Sequence, residues 1–152
     1  MSNNPSFDIS AAHKYFAAHC FNAAWDLIDK PGRTAEDDRM MVALSQASIY
    51  HWLNRPDCEP KRLSVGYWQA SRIQALLGNA AEAGNHAEVC LQYSMGQDPF
   101  LLGYAYEAKA RAAKIAGNSS VAAEQLVLAK EQAALVSNKE DRELLQSDLA
   151  GL

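Results

Sequence analysis

Two histidines and a cysteine are the first side chains that could do chemistry. His13 and Cys20 stand seven residues apart, on one face of any helix that holds them, and His51 falls on the next segment. Imidazole nitrogen and thiolate are common zinc ligands, so with a further carboxylate the three could hold that metal. Their spacing matches no compact metal motif and Phe16 sits between the first two, so ordinary core packing is the simpler reading. His19, Asn22 and Asp26 line another face of the same segment, and a histidine near a carboxylate can shuttle a proton. No nucleophile or electrophile accompanies them, and a polar helical face accounts for all three. Asp37 and Asp38 are adjacent, whereas a glycosidase pair needs two carboxyl groups across a cleft. Capping and the positive end of a helix dipole explain them better.

Trp25 and Trp52 suit packing at the ends of the first two segments. A cofactor box would also need a phosphate cradle or an attachment signal. None of GxGxxG, the Walker glycine loop, CxxC, CxxCH, HExxH or GxSxG occurs, so no cofactor is expected. Catalytic groups can still converge in space. A small metal-binding or ligand-binding protein, or an enzyme, using the histidines of the first hairpin therefore stays open as the alternative reading.

The elements that would position these groups are helices. The chain has 152 residues, enough for one domain with a real core, and alanine, leucine, glutamate, lysine, arginine and glutamine dominate it. Strict apolar and polar alternation is scarce, so strands are not expected. A formal charge of -4 offers no footprint for a phosphate backbone, and nucleic acid is not an expected partner. No run approaches the length of a membrane span, and MSNNPSFDIS lacks the basic start and apolar run of a secretory signal. Three widely spaced cysteines fit reduced thiols, so the expected location is cytoplasmic.

Seven helices are expected in a single domain over 1–152, with residues 1–6 frayed: hairpins over about 7–54, 61–94 and 99–136, then a short helix over 138–149. Phe16, Cys20, Ala23, Ala24 and Leu27 form the apolar stripe of the first, and Met40, Leu44, Ala47 and His51 that of the second. Pro31-Gly32 separates them. Thr34 and Asp37 make a capping box whose reciprocal half is left open by the short aspartate. The link NRPDCEPK, with its two prolines, reads as a turn rather than a domain boundary. Asn79 with Glu82, Asp98 with Pro99, and Ser137 with Glu140 mark later helix starts. Ala80, Ala81, Ala83 and Gly84, with Ala122 and Ala123, are small enough for close helix contact.

Gly78-Asn79 returns as Gly117-Asn118, an offset of 39 residues. The same offset pairs Tyr67 with Tyr106, Ser71 with Ala110, Ala83 with Ala122 and Cys90 with Ala129, the pattern of a repeated helical hairpin. With Leu126 in the second copy and only Ala87 at that place in the first, residues 65–136 resemble the tetratricopeptide repeat family. They depart from its usual period of 34, the extra length falling between units. The resemblance implies antiparallel hairpins stacked in a short right-handed array, with the leading helix of each lining a concave face that meets a peptide or protein. It also implies the inward places: Val65, Trp68, Arg72 and Ala75 in one unit, and Tyr104, Glu107, Arg111 and Lys114 in the other.

Trp68 and Tyr104 offer apolar area with a polar edge, and a guanidinium can grip a carboxylate in two places. A ligand with an acidic group and an apolar side chain suits that set. Arginine stems laid over the core, with their charge in water, explain Arg72 and Arg111 equally well. On the first reading, alanine at both weakens an acidic ligand and leaves helicity nearly unchanged. The expected role is a noncatalytic interaction module. Leu144, Leu145 and Leu149 of the last helix would either close the core end, which is the preferred reading, or pair with a second copy of the chain.

Overall fold

The structure, a computed structural model, describes residues 3–152; residues 1 and 2 of the segment expected to fray lie outside the described residues. Among the described residues the chain is all-α, with seven helices and no strand. They are α1 (Ile9–Ile28), α2 (Ala35–Leu53), α3 (Pro60–Leu76), α4 (Ala80–Ser94), α5 (Pro99–Ile115), α6 (Ser119–Leu135) and α7 (Lys139–Ala150). Consecutive helices pack as adjacent antiparallel pairs, α1 with α2, α3 with α4 and α5 with α6. The helices group into two compact units, Met1–Glu59 and Pro60–Leu152, and the division falls inside the NRPDCEPK link.

In the first unit Asp8 caps α1 by accepting the Ala11 N–H, and Gly32 turns the chain with φ 66°. Both halves of the Thr34 capping box form: Thr34 Oγ1 accepts the Asp37 N–H and Asp37 accepts the Thr34 N–H. The Lys30 ammonium and the Thr34 N–H hold the Asp37 carboxyl down at about 2. On α1 Cys20 and Ala24 are buried as expected, while the other places of that stripe and the stripe of α2 lie one residue round from those expected. On α1 they are Ala17, Cys20, Ala24 and Ile28, with Phe16 41% exposed. On α2 they are Met41, Ser45, Ser48 and Ile49, with Met40 51% exposed. The reason is the closeness of the crossing: Ser48 Oγ donates to the Ala17 carbonyl at 2.7 Å, so small residues take the seam and Phe16 is displaced to its rim.

In the second unit α3 pairs with α4 and α5 with α6, while α5 also packs on α4 and lies beside α3. Both Gly-Asn turns are the same helix stop. Gly78 and Gly117 take φ 78° and 77°; the Asn79 N–H reaches the Gln74 carbonyl and the Asn118 N–H the Ala113 carbonyl, each at 2.9 Å. With Gly78 N–H to Ala75 and Gly117 N–H to Lys114, these are two Schellman closures, which require the left-handed residue that glycine supplies. The starts that follow differ. Asn118 accepts the Val121 N–H, whereas Asn79 makes no side-chain cap and donates its amide to Gln74 Oε1 at 2.9 Å. Gln74 corresponds to Ala113 in the other copy, which has no acceptor to compete. The cap of α7 is Asn138, which accepts the Asp141 N–H, rather than Ser137.

The small residues divide. Ala83 and Ala87 are buried, and Ser71 Oγ donates to the Ala83 carbonyl at 2.8 Å where α3 crosses α4. Ala81 and Ala123 are exposed and nothing stands within 4 Å of a Cβ added at Gly84, so these places are not helix contacts. Ala80, Ala81 and Gly84 instead border an open groove with Ala112, Ala113 and Ala116. At the far end Leu145 and Leu149 of α7 bury against Ala129, Ala133 and Val136, closing the core end, while Leu144 faces outward.

Candidate functional site

The offset of 39 has a direct spatial meaning. Because α3 and α5 run side by side, equivalent residues of the two copies meet: the Trp68 indole N–H donates to Glu107 Oε2 at 2.8 Å. Glu107 is 1% exposed. Its other oxygen accepts Arg111 Nε–H at 2.8 Å and an Nη2 hydrogen of the same guanidinium, one helical turn on. A buried carboxylate is costly unless paired and hydrogen-bonded, and here one residue of α3 and one of α5 meet that cost. Glu107 is thus a bracket between the leading helices. The fork of Arg111 is partly committed to the protein's own carboxylate.

Tyr104 packs its ring edge-on to Trp68, centroids 5.3 Å apart, and donates its hydroxyl to Asp148 Oδ2 at 2.6 Å. Burial first, and the Asp148 bond second, push the phenol far above its usual range, so it stays a donor. The exposed Lys114 ammonium reaches the Leu152 carbonyl. α7 and the Leu152 that follows it therefore take up two of the residues expected to face a ligand, Tyr104 and Lys114. What stays open is a recess of about 80 Å³ lined by Arg72, Ala75, Leu76, Arg111 and Ile115. Arg72 and Arg111, equivalent in sequence, share this one depression. It is far smaller than the cleft of a typical small-molecule enzyme, roughly 300–1,000 Å³.

Sequence reasoning placed Trp68, Arg72, Tyr104, Glu107, Arg111 and Lys114 on one face, and the structure joins the first five through this network and recess. It missed Asp148, which no local pattern marks as a partner for a tyrosine 44 residues away. It also missed Leu76 and Ile115, whose equivalence at the same offset was readable. One expectation needs correcting: Arg111 cannot be removed without consequence, because the buried Glu107 depends on it.

In the first unit His13 and His51 do come together, Nδ1 to Nδ1 at 2.8 Å, one ring donating and the other accepting. Phe16 stacks on His51 with centroids 5.5 Å apart, and Tyr50 meets His13 edge-on. Cys20 lies in the helix seam instead, and among the described residues no three His, Cys, Asp or Glu side chains gather as a metal group. His19 is exposed beside Tyr15. Burial pushes all three thiols up, Cys90 to about 11, so none is an activated nucleophile. Trp25 sits edge-on to Phe21, and Trp52 lies under the Arg55 guanidinium at 3.9 Å.

The histidine pair has a pH signature. Burial, and then the neighbouring His13, lower the His51 pKa below 6.5. The unfolded chain thus binds more protons, so stability falls as pH drops from the unperturbed value toward the lowered one. Asp37 and Asp57, both held at about 2, remain ionised throughout that window. Urea denaturation at pH 7.5 and 5.5 is expected to show weaker protection of α1 and α2 amides at the lower pH. His51→Phe, which keeps the stack on Phe16, should flatten that difference; an unchanged difference would sink the assignment to His51.

Fold and site together define an all-α protein of sequential helical hairpins, carrying a carboxylate-bridged pair of leading helices beside a small two-arginine recess. No family model, curated protein or solved structure matches the chain. Among the described residues no helix is long and apolar enough to cross a membrane.

Proposed function

We propose that the chain is a noncatalytic interaction module, a divergent tetratricopeptide-like pair of hairpins with a closing helix, that takes a peptide or protein segment bearing an acidic group. The observation that carries this reading is the convergence of Arg72 and Arg111 on one recess that is also lined by Ala75, Leu76 and Ile115. The chemistry supports it too. Glu107 takes Arg111 donors on Nε and Nη2, which leaves the Nη1 end of the guanidinium for a second acceptor. Trp68, pinned by Glu107, and Tyr104, pinned by Asp148, are rigid aromatic area whose ordering cost is met before a ligand arrives.

The test is peptide binding by the full chain, measured by fluorescence anisotropy over an array of labelled acidic and neutral peptides. Acidic peptides are expected to bind, and Arg72→Ala to weaken them about tenfold or more, the loss of one charge-assisted hydrogen bond of about 1.5–3 kcal/mol. Far-UV ellipticity should hardly change. Binding that ignores both peptide charge and Arg72 would rule the reading out.

A further inference from the structure

We infer that the α1–α2 hairpin is an interface between two copies of this chain, each laying the same apolar side of the hairpin on the other to complete a four-helix bundle. This surface belongs to the first unit and is independent of the two-arginine recess. Each helix of the hairpin carries more apolar surface than one seam uses. The seam takes Ala17, Ala24 and Ile28 from α1 and Met41, Ser45 and Ser48 from α2. One residue before those places stand Phe16, Ala23 and Leu27, and Met40, Leu44 and Ala47. Antiparallel helices turn the same way past a shared seam, so the residues that precede it on both helices emerge on one side of the hairpin. Phe16 stacked on His51, centroids 5.5 Å apart, joins the two rows at the open end. Apolar residues that fill one seam and then a second stripe about 100° round mark a helix with two neighbours, as in a four-helix bundle, whereas the hairpin itself gives each helix one. Phe16 and Met40 are exposed, as is Ile9, one heptad before Phe16.

Charge and area make a second copy the occupant. Between Ile9 and Leu27, and between Met40 and His51, this side carries no Asp, Glu, Lys or Arg, so a copy meets no like charge and strands none on closing. A partner must offer an equally long uncharged helical side, and a two-fold rotation of the chain supplies one. Two helices about 10 Å across and about 28 Å long present about 560 Å² in projection, and more as accessible surface, close to the roughly 800 Å² per partner of a standard interface. Exposed Tyr15 and Tyr50, in ring contact with Phe16 and His51, add a rim of amphipathic rings suited to an interface.

The full chain is taken to sedimentation equilibrium from about 1 to about 100 µM, since interfaces of this size dissociate at micromolar concentration or below. Twice the mass of one chain is expected at the top of that range. Met40→Glu should raise the dissociation constant on the order of a hundredfold or more, because the two-fold axis brings the buried charge in twice. Helicity should be unchanged, since Met40 is half exposed in the single chain. Leu144→Glu, at an outward place on α7, should leave the dimer intact. A single-chain mass at every concentration leaves this side to a different partner and overturns the inference, as does a dimer that Met40→Glu spares or Leu144→Glu dissolves.

Methionine oxidation tests the same surface without a variant. Met40 and Met95 are 51% and 60% exposed, and hydrogen peroxide passes one oxygen to an exposed thioether, giving the sulfoxide and water. Mass mapping should find Met40 oxidised several-fold more slowly at the concentrated end than at the dilute end, with Met95 unchanged. Equal protection of both methionines, or of neither, rules out this side of the hairpin as the interface.

Discussion

Arg111→Ala is expected to destabilise the 60–152 unit by about 3 kcal/mol, the lower end of the 3–5 kcal/mol typical when one partner of a buried ion pair is removed. The lower end applies because the guanidinium is partly open to the recess while Glu107 is sealed at 1% exposure. What remains after the change is a buried carboxylate that keeps the Trp68 N–H and has lost the Arg111 guanidinium from its other oxygen. For a unit of this size the loss corresponds to a fall in Tm on the order of 12 °C or more. Urea denaturation followed by far-UV ellipticity measures it, and amide exchange in α3 and α5 locates it. Glu107→Leu with Arg111→Met should recover most of the loss, since apolar groups of similar volume need no countercharge. A cost below about 1 kcal/mol for Arg111→Ala would mean that Glu107 does not depend on the pair.

The second large effect lies where α7 closes the core. Leu145 is fully buried, and Leu145→Ala is expected to cost about 3 kcal/mol, within the range of about 2–5 for such truncations. Its contact with α5 is unusually close: a Cβ added at Gly103 would stand 2.6 Å from Leu145 Cδ2 and 3.5 Å from Gln132 Cβ. Gly103→Ala should therefore destabilise the protein by about 1 kcal/mol, overpacking outweighing the gain in helix propensity. In the Leu145→Ala background the clash is gone, and the same change should stabilise by about as much. The sign reversal is the measurement, read from a double-mutant cycle in urea. Additive effects at the two positions would show that α7 does not bear on Gly103.

These two regions show where sequence reading succeeds. Helix number and limits were legible because each boundary carries its own local chemistry: Pro31-Gly32, the Thr34 box, Asp98-Pro99, and the two Gly-Asn stops with their left-handed glycines. The side-by-side placement of Trp68 with Glu107 followed from the offset of 39 once α3 and α5 lay parallel. Cys20 and Ala24 were placed in the seam of α1 as found, but its other places and the seam of α2 were off by one residue because hydropathy favours Phe16 and Met40, whereas a close crossing favours Ala17 and Ser48. The Asn79 cap was lost to Gln74, a competition visible only when both side chains occupy the same turn.

By itself the sequence determined an all-α chain of seven helices, their turns, and which residues of the repeated hairpins are equivalent, since all of these rest on interactions within a few residues or on a fixed period. Only the tertiary structure decided that Glu107 is sealed between Trp68 and Arg111, that Asp148 holds Tyr104, and that the two arginines share one small recess. Those outcomes depend on how far each side chain reaches across a helix interface and on which partner satisfies a buried charge, and neither is written in the spacing along one helix.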